Sequence, residues 1–178
     1  VRSRDAVLME LRQAQADGSA APVGVALLLV DPEVNVGHDH LDILAPAAWP
    51  LGVAFDAEHL RRVLVNLLDN AHRHASGVPG CVVLRLDSRD EARVFLSVSS
   101  DGEPISPEVE RYLFEPFFST RSRGTGLGLY ICRELCERYG ASIDYRARPA
   151  GDGHANEFYV VMRRMPLADT EARLHLTS

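Results

Sequence analysis

Aromatic residues are sparse, at 7% of 178 positions, and cysteine is limited to Cys81, Cys132 and Cys136. Three cysteines without C-x-x-C spacing exclude a disulfide scaffold and fit a reducing compartment. Cys132 and Cys136 share a helical face, but no histidine or second cysteine pair lies beside them in sequence, so they do not read as a metal site. Long apolar runs are missing too. The longest, Val23 to Val30, falls far short of the roughly 20 residues that span a bilayer, and no basic signal-peptide region precedes it. The chain therefore reads as soluble. Positive charge is in deficit, with 19 Lys+Arg against 25 Asp+Glu and a formal net charge of -6. That removes any broad attraction to nucleic-acid backbones or anionic lipids, so a nucleotide would have to be held by a local site. Repeats and low-complexity tracts are also lacking.

What remains suffices for one domain. The chain is 46% hydrophobic, and at this length folding buries roughly 70% of the surface exposed by the unfolded form, enough for a core without disulfides or structural metal. Ser3 to Ala16 has helical composition and stops at Asp17-Gly18, which marks residues 1–20 as an N-terminal helical segment. Gly37 to Leu44 and Leu51 to Phe55 read as short strands. Asp56 is a natural N-cap, and Leu60, Val63, Leu64, Leu67, Leu68 and Ala71 recur at the spacing of one apolar stripe, predicting a helix to about Ala75. Cys81 to Asp87 and Ala92 to Ser99 alternate with period two around a turn and predict a hairpin. Asp101 to Gly126 is long and irregular, the kind of loop that carries function inside a compact domain. Leu127 to Tyr139 then reads as a helix ending at Gly140, and Ser142 to Arg148 with Asn156 to Arg163 as a second hairpin. The domain thus spans 21–165, followed by a flexible tail over 166–178.

Two features suggest chemistry. At 100° per residue from Leu60, the apolar stripe of the long helix centres near about 10°, while Arg62, Asn66, Asn70 and Arg73 fall between about 200° and 280°. Carboxamides four residues apart, flanked by arginines, can offer oxygen to a cation and donors to phosphate, although the same stripe also suits the wet side of an amphipathic helix. The second feature is R-G-T-G-L-G-L-Y-I-C, Arg123 to Cys132, which places glycines at alternate positions just before a helix, where bare N–H groups can face an anion. A hinge packed under a helix would use the same glycines. No lysine follows them as in a P-loop, and a loop rather than a strand precedes them, unlike a dinucleotide fingerprint.

Taken in order, L-R-R-V-L-V-N-L-L-D-N-A-H-R-H-A, V-S-S-D-G-E-P-I, L-F-E-P-F-F-S-T and G-T-G-L-G-L-Y-I resemble the N, G1, F and G2 boxes of the catalytic ATP-binding domain of sensor histidine kinases (HATPase_c, GHKL superfamily). The likeness covers about Asp56 to Arg164, and the last run is most similar to the PilS/NtrB-type group. It implies an α/β fold, a two-layer α/β sandwich with a mixed sheet of about five strands, three helices and a mobile ATP lid. It implies ATP and Mg2+ as cofactors, with Asn66, Asn70 and Arg73 catalytic and Asn70 on the metal. ATP contacts would comprise these three with His74, Ser100, Asp101, Gly102, Ile105, Phe117, Thr125, Gly126, Leu127, Gly128 and Leu129, and Phe114, Phe118 and Gly124 would form the lid hinge.

The G1 box of the family reads D-x-G-x-G, with Asp receiving the adenine amino group. Here Ser100 stands at the Asp position and Pro104 at the second Gly, and Asp101 can substitute only through a one-residue slip or bulge. Related hydrolases of the family place a water-activating Glu four residues before the metal-binding Asn. Asn66 occupies that position and cannot act as a base, which favours phosphoryl transfer. None of the seven histidines, His38, His40, His59, His72, His74, His154 and His175, lies in an H-E-x-x acceptor motif. The resemblance therefore implies a cytoplasmic fragment of an inner-membrane sensor, with no direct membrane or nucleic-acid contact. It would phosphorylate a histidine on a separate dimerisation domain of the same parent kinase, for relay to a response regulator. A nucleotide-sensing or protein-interaction module of the same fold is the alternative.

Overall fold

The apolar stripe beginning at Leu60 becomes the helix α1, Ala57–His74. Asp56 caps it, its carboxylate accepting from the His59 N–H at 3.1 Å. Glu58 lies in the first turn and Arg73 in the last, each matched to the helix dipole. Leu60, Val63, Leu64, Leu67, Leu68 and Ala71 are all buried, as the spacing predicts. A computed structural model describes residues 41–44, 52–88, 91–120, 124–149 and 151–165. The helix read over Ser3 to Ala16, the first part of the strand read from Gly37 and the tail from 166 lie outside them.

Six strands are described: β1 Leu41–Leu44, β2 Gly52–Val53, β3 Val82–Asp87, β4 Arg93–Ser100, β5 Ser142–Ala147 and β6 Asn156–Met165. They form one mixed sheet in the order β1-β3-β4-β6, with β2 and β5 both pairing β6. Only β1 and β3 run parallel; β3–β4 and β5–β6 are the two expected hairpins. Where about five strands are expected the sheet has six, because the two-residue β2 pairs the C-terminal end of β6 through Gly52↔Met165 and Val53↔Arg164. The other helices are the single turn α2, Pro107–Glu110, inside the segment read as irregular, and α3, Gly128–Arg138.

Alternation along the strands sends Leu84, Leu96, Val98, Phe158 and Val160 into the layer of α1 and α3, making one core. Cys132 and Cys136 on α3 belong to that core. Burial pushes both thiols up to about 12, and Cys132 Sγ donates to the Val63 carbonyl at 3.8 Å. They act as small apolar residues.

The other sheet face is polar. Glu157, almost fully buried, pairs with Arg146, and Arg148 Nη1 lies 3.6 Å from its second oxygen. Burial alone would raise its carboxyl, but hydrogen bonds from Arg146 and Ser97 and the charges of Arg146 and Arg148 hold it below the usual glutamate range. A depressed folded-state pKa contributes stability above the unfolded value, and this is lost as pH falls through the folded one. Wild type should therefore lose stability more steeply than Glu157→Gln from about pH 5 downward. Urea unfolding at several pH values checks this, and equal slopes would contradict the assignment.

Candidate nucleotide-binding site

The polar stripe of α1 forms one wall of a cavity of ≈870 Å³, within the range that encloses a nucleotide-sized ligand. Asn66, Asn70, Ala71, Arg73 and His74 line it from α1. Its two ends are fixed by close approaches to that helix. At Asn66, a Cβ on Gly128 would lie 3.4 Å from Oδ1, so the N-terminus of α3 abuts the first carboxamide. At His74, a Cβ on Gly102 would lie 2.2 Å from the carbonyl oxygen, so only glycine lets the chain leaving β4 pass. Eight residues of helix separate these points by about 12 Å.

The Asn66 end is rich in backbone. Gly124, Thr125, Gly126 and Gly128 line the cavity together with Asn66 and Asn70, beside the N-terminal N–H groups of α3, and Arg73 adds a cation to the lining one residue before His74. A triphosphate suits the α3 side on dipole grounds. The carboxamide of Asn70 offers oxygen, the donor type a hard cation takes, and Mg2+ keeps few protein ligands while sharing phosphate oxygens. Among the described residues no cluster of three or more His, Cys, Asp or Glu side chains suits a metal, so the cation would be held by Asn70 together with the nucleotide. The fit is sound, and such a cation neutralises phosphate charge.

The far end is apolar with two buried polar groups. Ile105, Val109, Leu113, Leu129 and Phe158 line it, together with Ser100 and Asn156. None of the four boxes includes Asn156. Its Nδ2 donates to the carbonyls of Gly102 at 2.9 Å and Glu103 at 3.0 Å. Its Oδ1 accepts from the Tyr145 hydroxyl at 2.8 Å and from the Ile105 N–H at 3.3 Å. All four hydrogen-bonding capacities of the amide are thus used to pin the loop after β4. A signal did exist: asparagine is a poor strand former, yet this one opens β6 directly opposite Ser100.

Of the other residues expected here, His74, Ile105, Phe118 and Thr125 also line the cavity, whereas Asp101, Gly102, Phe114, Phe117 and Leu127 do not. The Asp101 carboxylate accepts from the Ser76 N–H at 2.9 Å and the Ser76 hydroxyl at 2.5 Å. Burial opposes its charge, but those two bonds outweigh this and hold its carboxyl below the usual range. Phe114 packs edge-on against Phe158, with ring centroids 6.3 Å apart. Phe117 is exposed and, at φ +63°, is the only described non-glycine residue with positive φ. Its backbone crosses Gly126, itself at φ +67°, where a Cβ would sit 2.4 Å from the Phe117 carbonyl carbon. This crossing locks the phenylalanine run to the glycine hinge. Leu127 lines a neighbouring groove with Arg62 and Asn66.

A helix-and-sheet sandwich with a carboxamide stripe facing a glycine-rich helix N-terminus defines a nucleotide-binding domain. Residues 55–167 match the family of histidine kinase-, DNA gyrase B- and HSP90-like ATPases, and the chain belongs to it. It is 43% identical over 123 residues to the sensor protein kinase PilS of Pseudomonas aeruginosa, a match covering 67% of this chain and 22% of that protein. With the sensor histidine kinase ZraS of Klebsiella oxytoca it shares 36% over 105 residues, 59% of this chain and 22% of the other. The chain therefore spans about a fifth of either kinase. Among solved structures, the mycobacterial sensor histidine kinase MprB superposes with a TM-score of 0.67 at 26% identity, over 81% of this chain and 97% of that one. The domain is thus a histidine-kinase catalytic domain of the ATP-binding type, with the expected two-layer fold. No helix among the described residues is long and apolar enough to cross a membrane.

Proposed function

We propose that this domain binds Mg-ATP and transfers the γ-phosphoryl group to a histidine on a dimerisation domain of the parent kinase, for relay to an aspartate of a response regulator. Its place would be the cytoplasmic side of an inner-membrane sensor. The observation that carries the reading is the composition of the cavity at the phosphate end. Asn66, Asn70, Arg73 and the backbone of Gly124 to Gly128 supply binding and charge stabilisation, but no base. Among the described residues, the only carboxylate lining the cavity is Glu103, next to the loop at the far end. Transfer to an imidazole needs positioning and charge neutralisation, both present, whereas hydrolysis needs a group to activate water.

In the transfer, an imidazole nitrogen attacks the γ-phosphorus as the bond to the β-bridging oxygen breaks, and ADP leaves with the electron pair. Asn66, Arg73 and the N–H groups at the start of α3 would hold the phosphates in line, while Asn70 fixes the cation.

Calorimetric titration of ADP and a non-hydrolysable ATP analogue, with and without Mg2+, tests the reading. Micromolar, Mg-dependent binding is expected, and with ATP itself an added acceptor domain should become phosphorylated on histidine without steady release of phosphate. A folded sample that binds nothing up to millimolar nucleotide would instead point to the interaction module.

A further inference from the structure

The base end of the cavity contains very few groups able to read a purine. Of the buried polar side chains among the described residues, only Ser100 and Asn156 line it. The Asn156 amide is saturated by the loop, the Ile105 N–H it engages is occupied, and the two loop carbonyls, being backbone, each already accept one bond from it. The neighbouring Tyr145 hydroxyl is occupied as well, donating to Asn156 and accepting from Ile105. Asp101, the nearest carboxylate in sequence, is bound to Ser76 and lies outside the cavity lining. Glu103 and Ser106 also line the cavity but are exposed, so the buried side-chain group at this end that the loop does not already engage is the hydroxyl of Ser100, 5% exposed at the end of β4.

A hydroxyl is both donor and acceptor and can rotate to suit its partner. It accepts from the 6-amino group of adenine and donates to the 6-oxo group of hypoxanthine or guanine. A carboxylate in the same place only accepts, and so would penalise an oxo group by leaving two acceptors facing each other in a desolvated pocket. We infer that Ser100 makes this a purine-tolerant site, one that takes 6-oxopurine nucleotides about as well as adenine nucleotides. The inference rests on the nucleotide-binding reading above and names its substrate class.

The test is calorimetric titration of Mg-ADP, Mg-IDP and Mg-GDP into wild type, Ser100→Ala and Ser100→Asp. For wild type, ADP and IDP are expected within about threefold of each other, since one hydroxyl serves either edge. Ser100→Asp should favour ADP over IDP by at least about tenfold, mainly through loss of IDP. Ser100→Ala, which removes the hydroxyl without burying charge, should weaken both equally and keeps the test decisive if the aspartate variant does not fold. A wild-type preference for ADP above tenfold, or an alanine variant that weakens ADP alone, would overturn the inference. Failure of all three nucleotides to bind folded wild type would overturn the nucleotide site itself. GDP separates edge recognition from size, because its 2-amino group must also fit; weak GDP beside tight IDP still supports the role of Ser100.

Discussion

Asn70→Ala should reduce phosphoryl transfer to an added acceptor domain by about a thousandfold or more, the scale seen when charge stabilisation is removed from a phosphoryl-transfer site. Asn70 lies on the polar stripe of α1 and lines the cavity, whereas the neighbouring helix positions Leu67, Leu68 and Ala71 fill the core. The substitution therefore deletes the proposed cation ligand and no packing. Alanine is also the better helix former, so the urea midpoint should move by no more than the equivalent of about 0.5 kcal/mol. ADP affinity without Mg2+ should hardly change, while the gain in affinity on adding Mg2+ should disappear. Unchanged transfer in this variant would remove Asn70 from the active site.

Asn156→Ala should have the larger effect on stability. Four hydrogen bonds vanish together, leaving the Gly102 and Glu103 carbonyls and the Tyr145 hydroxyl proton to find new partners, while the Ile105 N–H keeps its bond to the Tyr145 oxygen. Each buried group left unpaired costs about 1–3 kcal/mol, though water entering the cavity recovers part of it, so a net loss of about 3–5 kcal/mol is expected. Nucleotide affinity should fall as well, because the freed loop forms the wall of the base end. Urea unfolding and calorimetry on the same sample measure both. Asn156→Asp, which keeps the acceptor side, should fall between wild type and the alanine variant. A stable Asn156→Ala domain with wild-type affinity would show that the loop holds itself.

The long helix was legible because its two stripes are centred about 130° apart around the helix, and cap, apolar period and terminator agree. The hairpins were legible for the same reason at period two. The short helix Pro107–Glu110 was not, since one turn cannot establish a period. Most of the cavity lining drawn from the four boxes appears at the cavity, because those residues lie on α1 or at the start of α3, whose faces follow from the period. The residues expected but absent from the lining, Asp101 and Phe117 among them, lie where the chain turns and side-chain direction depends on tertiary contacts. Asn156 shows the converse limit. It acts through a loop more than fifty residues away, and local pattern contains nothing about so distant a partner.

The crossing of Gly126 over the backbone of Phe117 and Phe118 divides the cost of ligand capture unevenly. One wall, α1, is a helix already paid for by the core it serves, so its carboxamides lose almost no freedom when a nucleotide arrives. The opposite wall is mostly loop, held by the Phe114–Phe158 contact, the Glu115–Arg133 ion pair and the crossing at Gly126, which admits no side chain. Whatever ordering binding demands therefore falls on the lid. Affinity in this fold can then be tuned by altering how restless the lid is before the ligand comes, with the atoms that touch phosphate left unchanged.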